Sequence, residues 1–253
     1  MLADLDGLYA DLVLGGPAPR STPWVALCLV QSLDGSVTLG DVSAGLGGPA
    51  DLQALARIRD AADVLLVGAT TVRDESYPPY PGGPARRAAR AAKGLAPAPP
   101  VAMVTRTGEL PAGHPLVADP GRPPIVITAA VDADRVRAAL AAHPAGPAAD
   151  VLVAGDAAVA WPEALAALAE RGLTRVSCEG GPRLVGDLVA ADLVDEVFLT
   201  VAPALVGGDG PRLTVGAPRG RRELALTSAL VHGDELLLRY RRAAPSPSAA
   251  ASR

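Results

Sequence analysis

The sequence is poor in aromatic residues and has no excess of positive charge. Phe, Trp and Tyr make up 3% of the 253 residues, and the formal net charge at pH 7 is −4. A nucleic-acid-binding protein needs basic patches that contact phosphates and, for single strands, aromatic side chains that stack on bases. The composition therefore argues against a protein that binds nucleic acid.

Cysteine and histidine are scarce, which argues against a metal site. Cys28 and Cys178 lie 150 positions apart in apolar, strand-like runs, a pattern that predicts buried free thiols in a reducing compartment. His114, His143 and His232 are not followed by the glutamate of an H-x-E motif, which a zinc deaminase needs together with P-C-x-x-C. We therefore expect no metal ion and no deaminase half in this chain.

Long apolar runs are also missing. None approaches the roughly 20 residues that a membrane-spanning helix needs, and the N-terminus has neither the basic nor the apolar segment of a secretory signal. These absences predict a cytoplasmic protein that does not interact with a membrane.

The remaining composition is that of one globular domain. Hydrophobic residues make up 49% of the chain, so a large core can form, and neither an internal repeat nor a change in composition divides the sequence. We expect a single domain over residues 23–242. Regularly spaced leucines in residues 1–22 predict an N-terminal helix and linker, and the Pro- and Ser-containing residues 243–253 predict a disordered tail.

Short apolar runs alternate with helical segments along most of the chain. Continuous apolar runs such as residues 24–30 and 64–68 are typical of strands that are buried on both faces of a parallel sheet. Residues 224–231 and 235–241 flank Gly233-Asp234 and predict a β-hairpin. The sequence therefore predicts an α/β fold with a doubly wound, mostly parallel sheet and an antiparallel hairpin at its C-terminal edge.

Residues 175–188 carry the most informative local pattern, because a short apolar strand passes through Gly180-Gly181 into an amphipathic helix. Glycines let the backbone approach a ligand closely, and Pro182 suits a first helical turn, where its missing N–H is not needed. The free N–H groups at such a helix start favour a phosphate. A plain tight turn is the alternative, but Glu179 at the end of the strand favours a ligand crevice.

Polar residues follow three further predicted strands. They occupy residues 32–34, 68–71 and 105–106, and residues 179–181 end the strand just described. Ligands of open α/β sheets bind outside the carboxyl ends of the strands. We therefore expect these four segments to share one crevice.

Several motifs, taken in order, resemble a known family. They are S-L-D-G at residues 32–35, R-I-R at 57–59, V-G-A-T-T-V at 67–72, E-G-G-P at 179–182, L-V-D-E at 193–196 and A-P-A-L-V-G-G at 202–208. Over roughly residues 24–241 the chain resembles the reductase domain of riboflavin biosynthesis. In two-domain members, that domain forms the C-terminal half of a deaminase–reductase.

The resemblance implies a dihydrofolate-reductase-like fold and an NADPH-dependent reaction. In this family, 5-amino-6-(5-phosphoribosylamino)uracil is reduced to the ribitylamino compound as the ribose opens. A phosphorylated pyrimidine substrate and a homodimer are implied as well. Three alternatives stay open: a dihydrofolate or pterin reductase, a reductase of a specialised pathway, and a non-catalytic NADPH-binding protein.

The resemblance also assigns roles on the substrate side of the predicted site. It implies Asp34 and Glu179 as catalytic residues, and Ser43, Arg59 and Glu179 as substrate contacts. The guanidinium of Arg59 suits bidentate contact with a phosphate. The alternatives are a turn cap for Asp34, an acid that favours the helix dipole for Glu179, and an ion pair with a neighbouring aspartate for Arg59.

On the cofactor side, the resemblance implies backbone and side-chain contacts with NADPH. The residues are Gly68, Thr71, Glu75, Thr105, Arg106, Gly180, Gly181, Pro182, Arg183 and Leu184. Arg106 is implied as the partner of the 2′-phosphate that distinguishes NADPH from NADH. A helix cap is the alternative for Thr71, and a solvated loop position is the alternative for Arg106. In the related fold, the peptide bond between the two glycines is cis.

Two positions depart from the family pattern. Many members have Lys or Arg after Leu-Asp-Gly, where this chain has Ser36. Residues 43–48, S-A-G-L-G-G, replace the usual Ser-x-Trp-Ile-Thr segment and contain more glycine. Both differences lie on the substrate side of the predicted site.

Overall fold

A computed structural model of the protein describes residues 5, 7–16, 21–75, 77–78, 80–119, 122–144 and 146–243. The strands within these residues are β1 (Trp24–Gln31), β2 (Val64–Gly68), β3 (Val101–Val104), β4 (Ile125–Thr128), β5 (Asp150–Val153), β6 (Arg175–Cys178), β7 (Glu196–Val201), β8 (Leu224–His232) and β9 (Glu235–Arg242). The α-helices are α1 (Pro49–Ala61), α2 (Ala69–Asp74), α3 (Pro84–Ala92), α4 (Pro115–Ala118), α5 (Ala133–Leu140), α6 (Trp161–Glu170) and α7 (Pro182–Ala190).

The strands form one sheet in the order β5-β4-β3-β2-β6-β1-β7-β9-β8. Strands β1 to β7 pair in parallel, whereas β9 is antiparallel to both β7 and β8. The chain runs outward from β2 to β5 and then returns to β6, which fills the position between β2 and β1. The predicted α/β fold, with its mostly parallel sheet and antiparallel C-terminal hairpin, is confirmed.

Strand β2 shows why a continuous apolar run forms a central strand here. Leu65 packs on one face of the sheet in a cluster with Ile58 of α1. Leu66 packs on the opposite face with Leu165 of α6 and Leu188 of α7. Because successive side chains of a strand point to opposite faces, a strand covered by helices on both sides is apolar at every position.

The parallel register brings the carboxyl ends of β3, β2, β6 and β1 to one edge of the sheet. Two backbone hydrogen bonds then join the segments that follow β2 and β6. Glu179 donates its N–H to the carbonyl of Leu66 at 2.9 Å, and Gly68 donates to the carbonyl of Gly180 at 2.8 Å. The turn into α2 and the turn into α7 are therefore side by side.

Some predicted elements differ from the structure at their ends. Before β5, where the alternating pattern predicts one helical segment, the structure has a 3-10 helix, Ala130–Asp132, followed directly by α5. In the N-terminal segment, residues 7–11 form hydrogen-bonded turns. The rest of that predicted helix and linker is only partly described, and residues 244–253 of the predicted tail lie outside the described residues. None of the described helices is both long and apolar enough to cross a membrane.

Candidate active site

A cavity of about 330 Å³ opens at the carboxyl ends of β1 and β6. Its walls come from the end of β1, from the loop between β1 and α1, from α1 itself, and from the turns into α2 and α7. The predicted site residues that line it are Ser43, Arg59, Thr71, Glu75, Glu179, Gly180, Gly181 and Pro182. Most of the residues assigned to substrate and cofactor are therefore brought together in one place.

Glu179 forms the most buried polar contact of this cavity. Its Oε1 accepts a hydrogen bond from Nε of Arg59 at 2.9 Å, and its Oε2 accepts one from Nη2 of Arg59 at 2.6 Å. The hydroxyl of Tyr77 donates to the same Oε2 at 2.5 Å. Both carboxylate oxygens of Glu179 are thus engaged, and Arg59 and Tyr77 are fixed at the cavity wall.

The geometry of Arg59 argues against the alternative of an ion pair with a neighbouring aspartate. The two neighbouring aspartates have other partners, since Asp60 pairs with Arg86 and Asp63 pairs with Arg175. Arg59 instead reaches the cavity, and its guanidinium lies 5.0 Å from the centre of the Tyr77 ring. The Nε–Nη2 edge that would suit bidentate contact with a phosphate is already occupied by Glu179.

Burial and charge set the protonation states around this pair. Burial, together with the negative charge of Glu179, raises the pKa of Tyr77 well above its usual value, so its hydroxyl keeps the proton that it donates. Burial alone would lower the pKa of Arg59, but Glu179 outweighs it and the pKa is raised, so Arg59 stays cationic. Burial and then Glu179 raise the pKa of Cys28, so its thiol stays neutral.

The turns into α2 and α7 form a tight backbone cradle beside this cluster. The Gly180–Gly181 peptide is cis, as in the related fold, and Gly180 has a φ of +90°. A Cβ added to Gly68 would lie 3.3 Å from the backbone nitrogen of Gly181, and one added to Gly181 would lie 3.1 Å from Oγ1 of Thr71. Since α7 begins at Pro182, its first N–H groups face this cradle, which fits a phosphate group.

Two of the predicted cofactor residues belong to α7 beyond the cradle. Leu184 is buried in the core cluster between the sheet and the helices, so its side chain is used for packing. Arg183 is exposed. A ligand at the start of α7 would meet these two residues through their backbone N–H groups.

The loop before α1 is held to the cavity by Glu75. Its Oε1 accepts the backbone N–H of Ser43 at 3.0 Å. A Cβ on Gly47 would lie 2.2 Å from Oδ2 of Asp51, and a Cβ on Gly48 would lie 2.8 Å from Oε2 of Glu235. At both positions, glycine therefore leaves room for a carboxylate that a larger residue would displace.

Asp34 lies outside the residues that line the cavity. Its carboxylate is exposed and accepts hydrogen bonds from the hydroxyl of Ser32 and from the backbone N–H groups of Val206 and Gly207. The bond from Ser32, followed by those from Gly207 and Val206, lowers the pKa of Asp34 to about 2. This geometry anchors the loop after β7 to the end of β1, and a catalytic role of Asp34 stays a prediction.

The predicted 2′-phosphate site is also separate from the cavity. Thr105 is buried, and its Oγ1 accepts the backbone N–H groups of Thr107 and Gly108. Arg106 is exposed at the end of β3, two positions from β6 in the sheet. An extended cofactor that starts at the cradle would have to run along this edge to reach Arg106, and that contact stays a prediction.

Asp51 and Tyr77 are among the cavity residues that the sequence interpretation missed. Asp51 lines the cavity from the first turn of α1, and in the sequence it resembled an ordinary first-turn acid. Tyr77 precedes a proline-rich segment, which predicted only the end of a helix. The signal that could have found Tyr77 is a large aromatic residue placed just after the helix of the V-G-A-T-T-V motif. Among the described residues, no cluster of three or more potential metal ligands is present.

Comparison with known proteins identifies relatives over nearly the whole chain. Residues 23–238 match the family described as the RibD C-terminal domain. The 2,5-diamino-6-ribosylamino-4(3H)-pyrimidinone 5′-phosphate reductase of Methanothermobacter thermautotrophicus is 27% identical over 225 residues, which cover 86% of this chain and 97% of that protein. The reductase of the same name from Aquifex aeolicus is 28% identical over 228 residues, or 86% of this chain and 96% of that protein.

A solved structure is similar over the same region. The pyrimidine reductase-like protein of Corynebacterium diphtheriae superimposes with a TM-score of 0.79 and 25% sequence identity. The match covers 91% of this chain and 97% of that one. The fold of this chain is thus shared by a protein of solved structure.

Proposed function

The chain belongs to the family of the RibD C-terminal domain, and we propose that it is an NADPH-dependent reductase of a ribosylamino-pyrimidine 5′-phosphate. The relatives are named for reduction of the 2,5-diamino-pyrimidinone compound, which makes that compound the first substrate to test. The corresponding uracil, 5-amino-6-(5-phosphoribosylamino)uracil, is the second, because it is the substrate that the sequence motifs implied.

The observation that carries this proposal is the position of Glu179 between two kinds of site. On one side, its carboxylate holds Arg59 and Tyr77 in the cavity. On the other side, the next residues form the Gly180–Gly181 turn at the start of α7. A polar wall for a substrate and a cradle suited to a cofactor phosphate are therefore built by one continuous segment.

NADPH, when bound, would supply the hydride that reduces the carbon bound to the exocyclic nitrogen of the substrate. The residues of the chain bind and orient the reactants. The cradle and the first N–H groups of α7 suit the pyrophosphate. Arg59, fixed by Glu179, presents its remaining guanidinium N–H groups to the polar groups of the substrate, and the hydroxyl oxygen of Tyr77 can accept a hydrogen bond there. These contacts order the substrate against the cofactor.

A direct assay tests this proposal against the alternatives. The purified protein is mixed with NADPH and, in parallel, with the diaminopyrimidinone phosphate, the uracil analogue or dihydrofolate, and NADPH oxidation is followed by absorbance. We expect oxidation with a ribosylamino-pyrimidine phosphate and none with dihydrofolate. NADPH binding without turnover of any of the three would contradict the proposal and favour a non-catalytic binding protein.

We also propose that the protein is a cytoplasmic homodimer. The two cysteines, Cys28 and Cys178, are free thiols, which suits a reducing compartment. Across the C-terminal part of the sheet, Leu199 of β7 pairs in register with Leu238 of β9, and both are half-buried. Leu226 of the edge strand β8 is 55% exposed. An apolar face with an exposed edge strand favours contact with a second copy.

A further inference from the structure

Asp51 is a cavity residue for which the proposed function, on which this inference rests, has no role so far. It lies in the first turn of α1 and lines the cavity together with Cys28, Arg59 and Glu179. Asp51 and the Arg59–Glu179 pair therefore border the same cavity, and the charges of Glu179 and Asp51 both raise the pKa of the Cys28 thiol. The backbone of Gly47 covers its carboxyl group, since an added Cβ there would lie 2.2 Å from Oδ2.

The surroundings of Asp51 differ from those of an ordinary first-turn acid. Such an acid is normally exposed and is stabilised as an anion by the helix dipole. Burial, with a smaller effect of the charge of Glu235, raises the pKa of Asp51 to about 6, although a hydrogen bond from Thr200 acts in the opposite direction. No salt bridge formed within the described part of the chain includes Asp51. Its carboxyl group therefore keeps its proton to a higher pH than an exposed aspartic acid does, up to about pH 6.

The other acidic groups of the cavity are less suited to deliver a proton. Both oxygens of Glu179 accept hydrogen bonds from Arg59 and Tyr77, and the hydroxyl of Tyr77 is itself committed to Glu179. Glu75 accepts the N–H of Ser43.

Three further titratable groups line the cavity, Cys28, Asp41 and Asp74. Asp41 and Asp74 are exposed to solvent. The raised pKa of Cys28 makes its thiol a weak acid. Asp51 is thus a half-buried carboxyl group of the cavity that has a raised pKa and no salt bridge within the described part of the chain.

We propose that Asp51 is a catalytic residue that gives its proton to the substrate during reduction. The bound nicotinamide would supply a hydride to the ribosyl carbon of the ring-opened C=N bond, and the electron pair of that bond would move to the nitrogen. The nitrogen takes the proton of the Asp51 carboxyl group, so the product is a secondary amine. Asp51 is left as a carboxylate and regains a proton from solvent, which balances the one proton that the reaction consumes.

The test is the pH dependence of kcat/KM, measured with wild-type protein, Asp51→Asn and Thr200→Val. A proton donor must be protonated before it acts, so wild-type kcat/KM should fall as the pH rises through about 6. Asp51→Asn has the same shape but no proton to give. It should lower kcat by about 100-fold or more, leave KM nearly unchanged, and abolish the fall in kcat/KM.

Thr200→Val provides an independent readout, because it leaves Asp51 in place. Without the hydroxyl that stabilises the carboxylate, the pKa of Asp51 should rise, and the fall in kcat/KM should move to higher pH. If Asp51→Asn does not fold, the pH shift of kcat/KM in Thr200→Val is sufficient to test the proposal. An unchanged profile, or a shift to lower pH, overturns it.

The remaining outcomes separate this inference from the proposed function. Turnover by the wild type combined with an unchanged kcat and pH profile in Asp51→Asn overturns the role of Asp51 alone. A rise in KM without a change in kcat in Asp51→Asn also overturns the catalytic role of Asp51, because it would show that the residue only binds the substrate. Absence of turnover in the wild type overturns both.

Discussion

Glu235, the first residue of β9, accepts the backbone N–H of Gly48 at 2.7 Å. Its second oxygen accepts the N–H of Ala50 at 3.0 Å. Gly48 is the N-cap of α1 and has no side chain to satisfy these groups, so a carboxylate from the C-terminal hairpin caps the helix instead. The hairpin thereby fixes the helix that carries Asp51 and Arg59 into the cavity.

We predict that Glu235→Ala lowers the free energy of unfolding by about 2 kcal/mol, since two N–H groups at the start of α1, one of them buried, lose a charged acceptor. Chemical denaturation monitored by circular dichroism measures this change. Glu109→Ala removes an exposed carboxylate and should change the free energy of unfolding little. Equal effects of the two substitutions would contradict the capping role of Glu235.

A second prediction concerns the cradle. Gly181→Ala should weaken NADPH binding by about 1 kcal/mol or more, because the new methyl group crowds Thr71 and the phosphate. Gly83 is a matched control: like Gly181 it is a helix N-cap followed by proline, with a φ of −69° against −71°, but a Cβ there meets nothing within 4 Å. Gly83→Ala should leave NADPH affinity unchanged, as measured by calorimetry.

Glu179→Gln separates the cofactor role of this segment from its substrate role. Loss of the carboxylate should lower turnover and spare NADPH affinity, because Glu179 contacts Arg59 and Tyr77 on the substrate side. NADPH affinity that survives Gly181→Ala but is abolished by Glu179→Gln would show that the two roles are reversed. Calorimetric titration measures the NADPH affinity of each variant, and the NADPH oxidation assay measures its turnover.

The third prediction concerns the choice between NADPH and NADH. Arg106→Ala should raise the dissociation constant for NADPH and leave that for NADH nearly unchanged, because only NADPH has the 2′-phosphate. Arg137→Ala removes an exposed arginine of α5 and should affect neither. Equal losses of affinity for the two cofactors in Arg106→Ala would rule out the assignment.

The fourth prediction concerns the apolar face of the C-terminal strands. Wild-type protein should be a dimer by light scattering at micromolar concentration, and Leu226→Asp on the edge strand should shift it towards the monomer. Val131→Asp places the same charge at an exposed position before α5 and should leave the dimer intact. A monomeric mass of the wild-type protein would refute the homodimer.

The sequence predicted best those structural features that depend on residues close together in the chain. The segment Gly180-Gly181-Pro182 predicts a turn followed directly by the start of a helix, and the structure has both. The doubly covered sheet follows from runs such as β2, because every residue of such a strand must be apolar.

The contacts that form the cavity could not be predicted in the same way. Arg59 and Glu179 are 120 positions apart, and their pairing depends on the packing of α1 against the end of β6. Asp51 has the sequence pattern of a surface acid, and only its burial beside Thr200 distinguishes it. Tyr77 likewise gains its role from a partner that is distant in the chain.

The crowded backbone before α1 has a consequence for protein engineering. A loop from a relative with bulky residues at positions 47 and 48 would displace the carboxylates of Asp51 and Glu235, because the new side chains would overlap them. A chimaera that accepts such a loop without this displacement would exchange four positions together, namely both glycines and both acids. Natural variation at these positions should accordingly be correlated, with glycine retained wherever the two carboxylates are present.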